Sequence, residues 1–232
     1  MKKLFLLAAL AAATLSVQNA TADTIAHWTF ELNTPADLAN STTISGIAAD
    51  VGNGTASGVH ANAASDWTTP AGNGSANSLS VNTWTIADYF QFQVSTIGFT
   101  GIGVSFDHTS SSTGPRDFDL RYSTDGSSFT TFSSYTVIAN ALPPGAWNGT
   151  TAFSEYSYIF NLSSVTAIDN TSTVYFRLVN TSTATPSGGI VAAGGTDRVD
   201  NFHVFSPVPE PTSAALVVLG GLLSFVVMRR RS

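Results

Sequence analysis

The feature that most constrains the fold of this chain is a period-two alternation of apolar and polar residues in its central part. In residues 88–95 every second residue is apolar, beginning with Phe90, and the intervening Gln91 and Gln93 are polar. The same alternation occurs in residues 101–108, 116–123 and 173–180. Because side chains of a strand point alternately to opposite faces, these segments are predicted to be strands buried on one side.

The composition of residues 23–206 argues against long helices. This stretch contains 52 serines and threonines, 13 asparagines and 17 glycines, which compete with or weaken helical hydrogen bonding. Five further strands are predicted at residues 24–31, 79–85, 129–138, 153–161 and 199–205. Asp125-Gly126 marks a hairpin turn. The sequence therefore predicts an all-β antiparallel β-sandwich, with a jelly-roll topology favoured over an immunoglobulin-like one.

Two segments rich in small and polar residues are predicted to be loops. Residues 33–78, which include Gly52-Asn53-Gly54, are expected to form long loops with one or two short strands, and residues 181–198 form a second loop. Neither segment has enough apolar periodicity for a second globular domain. We therefore expect one domain spanning residues 23–206.

The N-terminus has the three parts of a secretory signal peptide. Lys2 and Lys3 precede an apolar stretch, and the small residues Ala20 and Ala22 flank a cleavage site. We expect residues 1–22 to be removed, so that the exported chain begins at Asp23.

The C-terminal residues 207–232 differ in composition from the signal peptide and from the central domain. Pro209, Glu210 and Pro211 precede an apolar segment, 212–228, that is just long enough to cross a membrane as a helix. Three arginines follow it at positions Arg229, Arg230 and Arg231. By the positive-inside tendency, the arginine cluster stays in the cytoplasm and the central domain lies outside.

This tripartite tail resembles the PEP-CTERM sorting signal of Gram-negative bacteria. In that family an exosortase, a transpeptidase-like membrane protease, is thought to recognise the Pro-Glu-Pro and process the protein near it. The resemblance implies an exosortase-type sorting protease as partner and transient anchoring in the inner membrane. The cell envelope, outer surface or exopolysaccharide matrix is the implied destination. More loosely, Ser123–Gly126 and Arg198–Phe202 resemble segments of galactose-binding-like jelly rolls of bacterial surface proteins.

The distribution of charge excludes nucleic acid as a partner. The chain has a formal net charge of −6, but residues 23–206 hold four arginines, no lysine and fourteen acids, for a net charge of −10. Binding to phosphates requires clustered basic residues. The absence of cysteine excludes a disulfide scaffold and thiolate metal sites.

No catalytic motif is present in the sequence, and we predict that the protein is not an enzyme. The four histidines are scattered, and His108 falls on the apolar face of its strand, as a core histidine would. Asp117 and Asp119 could act as an acid–base pair, but Arg116 and Arg121 beside them favour surface ion pairs. Asp125 is expected to brace its hairpin.

Two sets of residues are candidates for binding. Glu31, Asp197 and Asp200 lie near the ends of the first and last predicted strands, where oxygen ligands could hold a structural calcium ion. The alternative is that these carboxylates cap turns. The second set consists of tryptophans in or beside polar loops, whose rings could stack on a sugar: Trp67, Trp84 and Trp147.

Taken together, these features predict an exported, non-enzymatic protein with a structural or adhesive role beside extracellular polysaccharide. A calcium-dependent carbohydrate-binding module is the first alternative. A polysaccharide hydrolase or lyase is the second alternative, and it would require a cleft that holds convergent carboxylates or a histidine.

Overall fold

A computed structural model describes residues 22–141 and 145–206. The predicted signal peptide up to residue 21 and the predicted sorting tail, 207–232, lie outside the described residues. Among the residues that are described, no helix has the length and apolar character needed to cross a membrane.

The described residues form thirteen strands, and two single-turn 3₁₀ helices lie at Ser154–Tyr156 and Thr166–Ile168. The strands are β1 (Asp23–Trp28), β2 (Thr43–Ala48), β3 (Val51–Gly52), β4 (Gly54–Val59), β5 (Trp67–Thr68), β6 (Leu79–Val81), β7 (Tyr89–Val94), β8 (Gly103–Ser110), β9 (Asp117–Ser123), β10 (Thr130–Thr136), β11 (Ser157–Asn161), β12 (Val174–Asn180) and β13 (Asp197–Ser206). The predicted all-β class is confirmed.

The strands form two antiparallel sheets. Sheet 1 has the order β11-β8-β13-β1-β3, with β6 also paired to β13 and β5 paired to β6. Sheet 2 has the order β10-β9-β12-β7-β4-β2. The first strand pairs with the last, so that Trp28 lies opposite Phe202. The described residues therefore form an antiparallel β-sandwich whose first and last strands pair in sheet 1.

Aromatic rings fill the space between the sheets. Phe92 of sheet 2 stacks on Phe202 of sheet 1, with ring centroids 3.5 Å apart, and Trp28 packs edge-on against both. All three side chains are fully buried. The apolar faces predicted from the alternation are thus the faces that meet in the core, which stabilises the sandwich by removing apolar area from water.

The nine predicted strands are confirmed in position, with shifted ends, as β1 and β6 to β13. The interpretation of residues 33–78 as loops with one or two short strands is wrong, because this segment contributes β2 to β5, and β2 and β4 form one side of sheet 2. Because many of their residues are small, these strands show little alternation of large apolar and polar side chains in the sequence. A Cβ built on Gly54 would lie 2.6 Å from Cη2 of Trp28, and one on Gly58 would lie 2.3 Å from Cη2 of Trp67.

Candidate functional site

An open groove lies on the outer face of sheet 1, the face directed away from the core. Its volume is about 430 Å³. Strands β1, β8, β11 and β13 contribute its walls, which are lined by His27, Ser105, Phe106, Asp107, Ser157, Tyr158, Ile159, Asn201 and His203. The lining combines rings and an aliphatic side chain with hydroxyl, amide and carboxylate groups, so the groove can contact both the apolar face and the hydroxyl groups of an amphipathic ligand.

A β-bulge in β13 shapes the centre of this groove. The register between β13 and β8 shifts between Asp200 and His203, and Asn201 between them has a positive φ of 50°. Bulges redirect side chains and are common beside binding sites. Here the bulge directs the Asn201 amide toward Asp107 on β8, to which its Nδ2 donates a hydrogen bond of 2.8 Å.

Asp107 is the carboxylate that lines the groove. Its Oδ1 accepts a hydrogen bond from the Ser157 hydroxyl at 2.5 Å, and its Oδ2 accepts the one from Asn201. These contacts join β8, β11 and β13 across the groove floor. Since both donors lie on neighbouring strands, the carboxylate is held in one orientation, as a preorganised acceptor for a ligand hydroxyl would be.

His27 and His203 line another part of the groove. The rings of His27 and His203 lie on adjacent strands with their centroids 4.8 Å apart and a tilt of 38°. Burial lowers the pKa of His27, although Asp50 and Asp107 act in the opposite direction. Burial, together with the neighbouring His27, lowers the pKa of His203 to about 4. Both rings are therefore uncharged at neutral pH and present an aromatic surface rather than a cation.

Two of the three predicted calcium ligands bind one loop segment instead. Oδ2 of Asp200 accepts hydrogen bonds from the Asn73 amide at 2.9 Å and from the Ser75 hydroxyl at 2.7 Å. Oε1 of Glu31 accepts one from the Asn77 amide at 2.7 Å. These carboxylates hold residues 73–77 against the end of sheet 1, which is the turn-capping role that the sequence left open.

The third predicted ligand, Asp197, points into the core and pairs with His108. No group of three or more potential His, Cys, Asp or Glu ligands occurs within residues 22–141 and 145–206. The oxygens of Asp200 and Glu31 face N–H and O–H donors, whose hydrogens would repel a cation. The predicted set Glu31, Asp197 and Asp200 therefore does not fit calcium in this arrangement.

The three candidate tryptophans are buried. Trp67, Trp84 and Trp147 are 0%, 5% and 6% exposed, and their indole N–H groups donate to backbone carbonyls within the fold. The expectation that one of them stacks on a sugar does not agree with this burial. Trp67 and Trp84 pack in the hydrophobic core, and Trp147 packs edge-on against Tyr156, so the polar residues beside them in the sequence did not indicate exposure.

The remaining carboxylates form the ion pairs and the hairpin contacts that were predicted, but Asp119 is buried and does not lie at the surface. Asp117 pairs with Arg116 at 2.7 Å, and Asp119 pairs with Arg121 at 2.8 Å. The hydrogen bond from Arg116 lowers the pKa of Asp117. Oδ1 of Asp125 accepts backbone hydrogen bonds from two following residues of its turn, as predicted for a hairpin brace.

The sequence placed Asn201 within the predicted strand 199–205 and showed that the histidines are scattered, but it did not bring these residues together. His27 and His203 are 176 positions apart in the chain and become neighbours because β1 pairs with β13. Alternation assigns a residue to a strand face. It does not determine which strands are adjacent, and the groove depends on that adjacency.

No protein-family model matches this chain, and no curated protein matches it. Among solved structures, it is similar to the K3 cleaved adhesin domain of Lys-gingipain from Porphyromonas gingivalis, at 15% identity, covering 79% of this chain and 99% of that chain, with a TM-score of 0.40. It is also similar to the CBM22-2 xylan-binding domain of Xyn10C from Paenibacillus barcinonensis, at 12% identity over 79% and 99%, with a TM-score of 0.42.

A family 35 carbohydrate-binding module from Clostridium thermocellum is similar at 16% identity, over 75% of this chain and 98% of that chain, with a TM-score of 0.37. TM-scores below 0.5 are too low to assign a ligand or an activity to this chain. The class of protein rests on its own geometry, which is a two-sheet antiparallel sandwich with an open, polar groove on one outer face.

Proposed function

We propose that this chain is a non-enzymatic, polysaccharide-binding adhesive protein and that the groove on sheet 1 is its binding site. The observation that carries the proposal is the preorganised set of Asp107 and Asn201 beside the adjacent, tilted rings of His27 and His203. A sugar ring has apolar C–H faces and a rim of hydroxyls. The rings can contact such faces, and the fixed carboxylate and amide can bind the rim.

Binding without hydrolysis is favoured by the positions of the two neighbouring carboxylates. Glycoside hydrolysis by the common route uses two carboxyl groups that flank the sugar. Asp107 lines the groove, whereas Asp200, which lies opposite it on β13, is fully buried beneath residues 73–77. Asp200 has no path to a bound sugar, so an acid–base pair is not available within the described groove.

Our proposal extends to topology and export. Pairing of β1 with β13, together with repeated crossing of the chain between sheets from β7 to β13, supports a jelly-roll arrangement.

The tail motif at Pro209–Pro211 and the predicted signal peptide support export and exosortase-type sorting to the envelope or matrix.

The binding proposal is tested with the secreted protein on an array of neutral polysaccharides, with and without EDTA. We expect binding that is unaffected by EDTA and weakened about tenfold in Asn201→Ala, because a lost hydrogen bond to a fixed polar group costs about 1 to 2 kcal/mol. Thr55→Ala on the outer face of sheet 2 is the matched control and should bind normally. Equal binding by the Asn201 variant would contradict the assignment of the groove.

Mass spectrometry of the released protein tests the sorting proposal. We expect a new C-terminus near residues 209–211 and loss of the terminal arginines. Released protein that retains Arg229–Arg231 would refute processing at this tail.

A further inference from the structure

Arg177 on the outer face of sheet 2 is held between two aromatic rings. Its guanidinium carbon lies 3.9 Å from the ring centroid of Tyr89 and 3.7 Å from that of Phe129. Its Nε donates a hydrogen bond of 2.7 Å to Oε1 of Gln91 on the adjacent strand. The rings cover both faces of the guanidinium and Gln91 holds one edge, so the Nη edge is the part that remains available to a ligand.

A second arginine lies directly beside it. Arg121 on β9 is the register partner of Arg177 on β12. Arg121 is already paired, since its Nε and Nη2 both donate to Oδ2 of Asp119. Within the described part of the chain, no carboxylate oxygen lies within 4 Å of the Arg177 guanidinium. Two arginines and one aspartate therefore leave a local positive charge in a domain whose net charge is −10.

An anion beside Arg177 would reduce the repulsion between the two arginines. Like charges directly opposite each other on neighbouring strands destabilise a sheet. Burial lowers the pKa of Arg177, against an opposing effect of Tyr89, and the neighbouring Arg121 acts in the same direction as burial. Acidic residues are abundant elsewhere in the domain, yet none of the described ones occupies the position that would neutralise Arg177.

The geometry of the available edge selects the kind of anion. A guanidinium covered on both faces can bind only in its own plane, and two parallel N–H groups in that plane match the two oxygens of a carboxylate. Tyr175, next to this site and edge-on to Phe129, adds a half-buried aromatic ring that could contact a sugar. A carboxylate carried by a sugar would satisfy both features.

We propose that the Arg177 site, formed by Arg177, Tyr89, Phe129 and Gln91, binds the carboxylate groups of an acidic polysaccharide built from uronic acids. This site lies on sheet 2, whereas the groove proposed above to bind polysaccharide lies on sheet 1. The Arg177 site is therefore a second binding site, beyond the proposed function of the groove. A protein with both sites would join acidic and neutral chains through its two outer faces.

The test is isothermal titration of the secreted protein with polygalacturonate and its methyl ester. We expect binding to polygalacturonate that weakens with added salt, and at least about tenfold weaker binding to the ester, because charge-assisted hydrogen bonds to a carboxylate are lost. R177Q should lose about tenfold or more. R177K, which retains the charge but not the planar fork, should also weaken binding. Circular dichroism confirms that both variants are folded.

Asn201→Ala, in the groove on sheet 1, is the control and should bind polygalacturonate as the parent protein does. This control separates the two proposals, because each variant is expected to affect one class of polysaccharide. The proposal is overturned if R177Q binds as tightly as the parent, if the methyl ester binds equally well, or if the parent does not bind polygalacturonate. If dextran sulfate binds as tightly as polygalacturonate, the site does not distinguish a planar carboxylate from a sulfate, and the proposed specificity is wrong.

Discussion

Nε2 of His108 lies 2.5 Å from Oδ1 of Asp197 in the centre of the sandwich, where neither side chain has any exposed surface. The other ring nitrogen, Nδ1, lies 2.9 Å from the hydroxyl of Tyr135. His108 comes from β8, Asp197 from β13 and Tyr135 from β10, so this buried network connects the two sheets. The prediction that His108 is a core histidine with satisfied hydrogen bonds is confirmed.

Removal of one member of this network should destabilise the fold strongly. Asp197→Ala leaves the His108 ring without its acceptor in a dry core, and we expect a loss of about 3 to 5 kcal/mol in the free energy of unfolding, measured by urea denaturation. Glu155→Ala, at an exposed carboxylate, is the control and should change stability by less than about 0.5 kcal/mol. A loss below about 1 kcal/mol in Asp197→Ala would show that this buried network contributes little to the stability of the fold.

Stability should respond to the titration of Asp200. Burial raises the pKa of this carboxyl to about 7 from an ordinary value near 3.8, against the opposing effect of hydrogen bonds from Ser75 and Asn73. Since the folded state then binds more protons than the unfolded state between about pH 4 and pH 7, this group's contribution to stability declines as the pH rises through that window.

The measurement compares the parent with Asp200→Asn, which cannot titrate. From pH 5 to pH 8 we expect the stability of the parent to fall by about 2 to 3 kcal/mol relative to the variant. His27, His60 and His203, whose lowered pKa values act in the opposite direction, are common to both proteins and cancel. A constant difference across this range would contradict the raised pKa.

The close approach of Trp67 to Gly58 predicts that β4 tolerates no larger residue there. Gly58→Val should cost about 3 kcal/mol or more, because its Cβ would lie 2.3 Å from the indole ring and force the ring to move. Thr55→Val on the exposed face of the same strand is the matched control. Combining Gly58→Ala with Trp67→Leu should cost less than the sum of the losses in the two single variants, as measured by thermal unfolding, because the smaller side chain at position 67 relieves the clash. Additive losses would contradict a direct steric cause.

Calcium should not stabilise the described fold through Glu31, Asp197 and Asp200. The oxygens of Glu31 and Asp200 already accept hydrogen bonds from residues 73–77, and Asp197 is committed to His108. We expect the same melting temperature in EDTA and in millimolar calcium. A rise of about 3 °C or more with calcium, corresponding to about 1 kcal/mol of linkage, would show that these carboxylates rearrange into a metal site.

The sequence predicted the outline of the fold more fully than the sites. Strong alternation located strands such as β7, with Phe90, Phe92 and Val94 all directed into the core. It failed for β4, whose inward positions include Ala56 and Gly58, because the apolar volume on that face is supplied by tryptophans from other strands. The same packing explains why the sequence did not indicate that Trp67 is buried, because its ring fills the space beside Gly58 on another strand.

The sequence by itself determined the β class, the inward and outward faces of most strands, and the local ion pairs such as Arg116–Asp117. These depend on residues a few positions apart, whose relation is set by the geometry of an extended backbone. Only the tertiary structure decided that β1 meets β13, that His27 lies beside His203, and that Arg177 lies beside Arg121 and between two rings. Such contacts depend on strand order, which is selected by the packing of the whole core rather than by any local pattern.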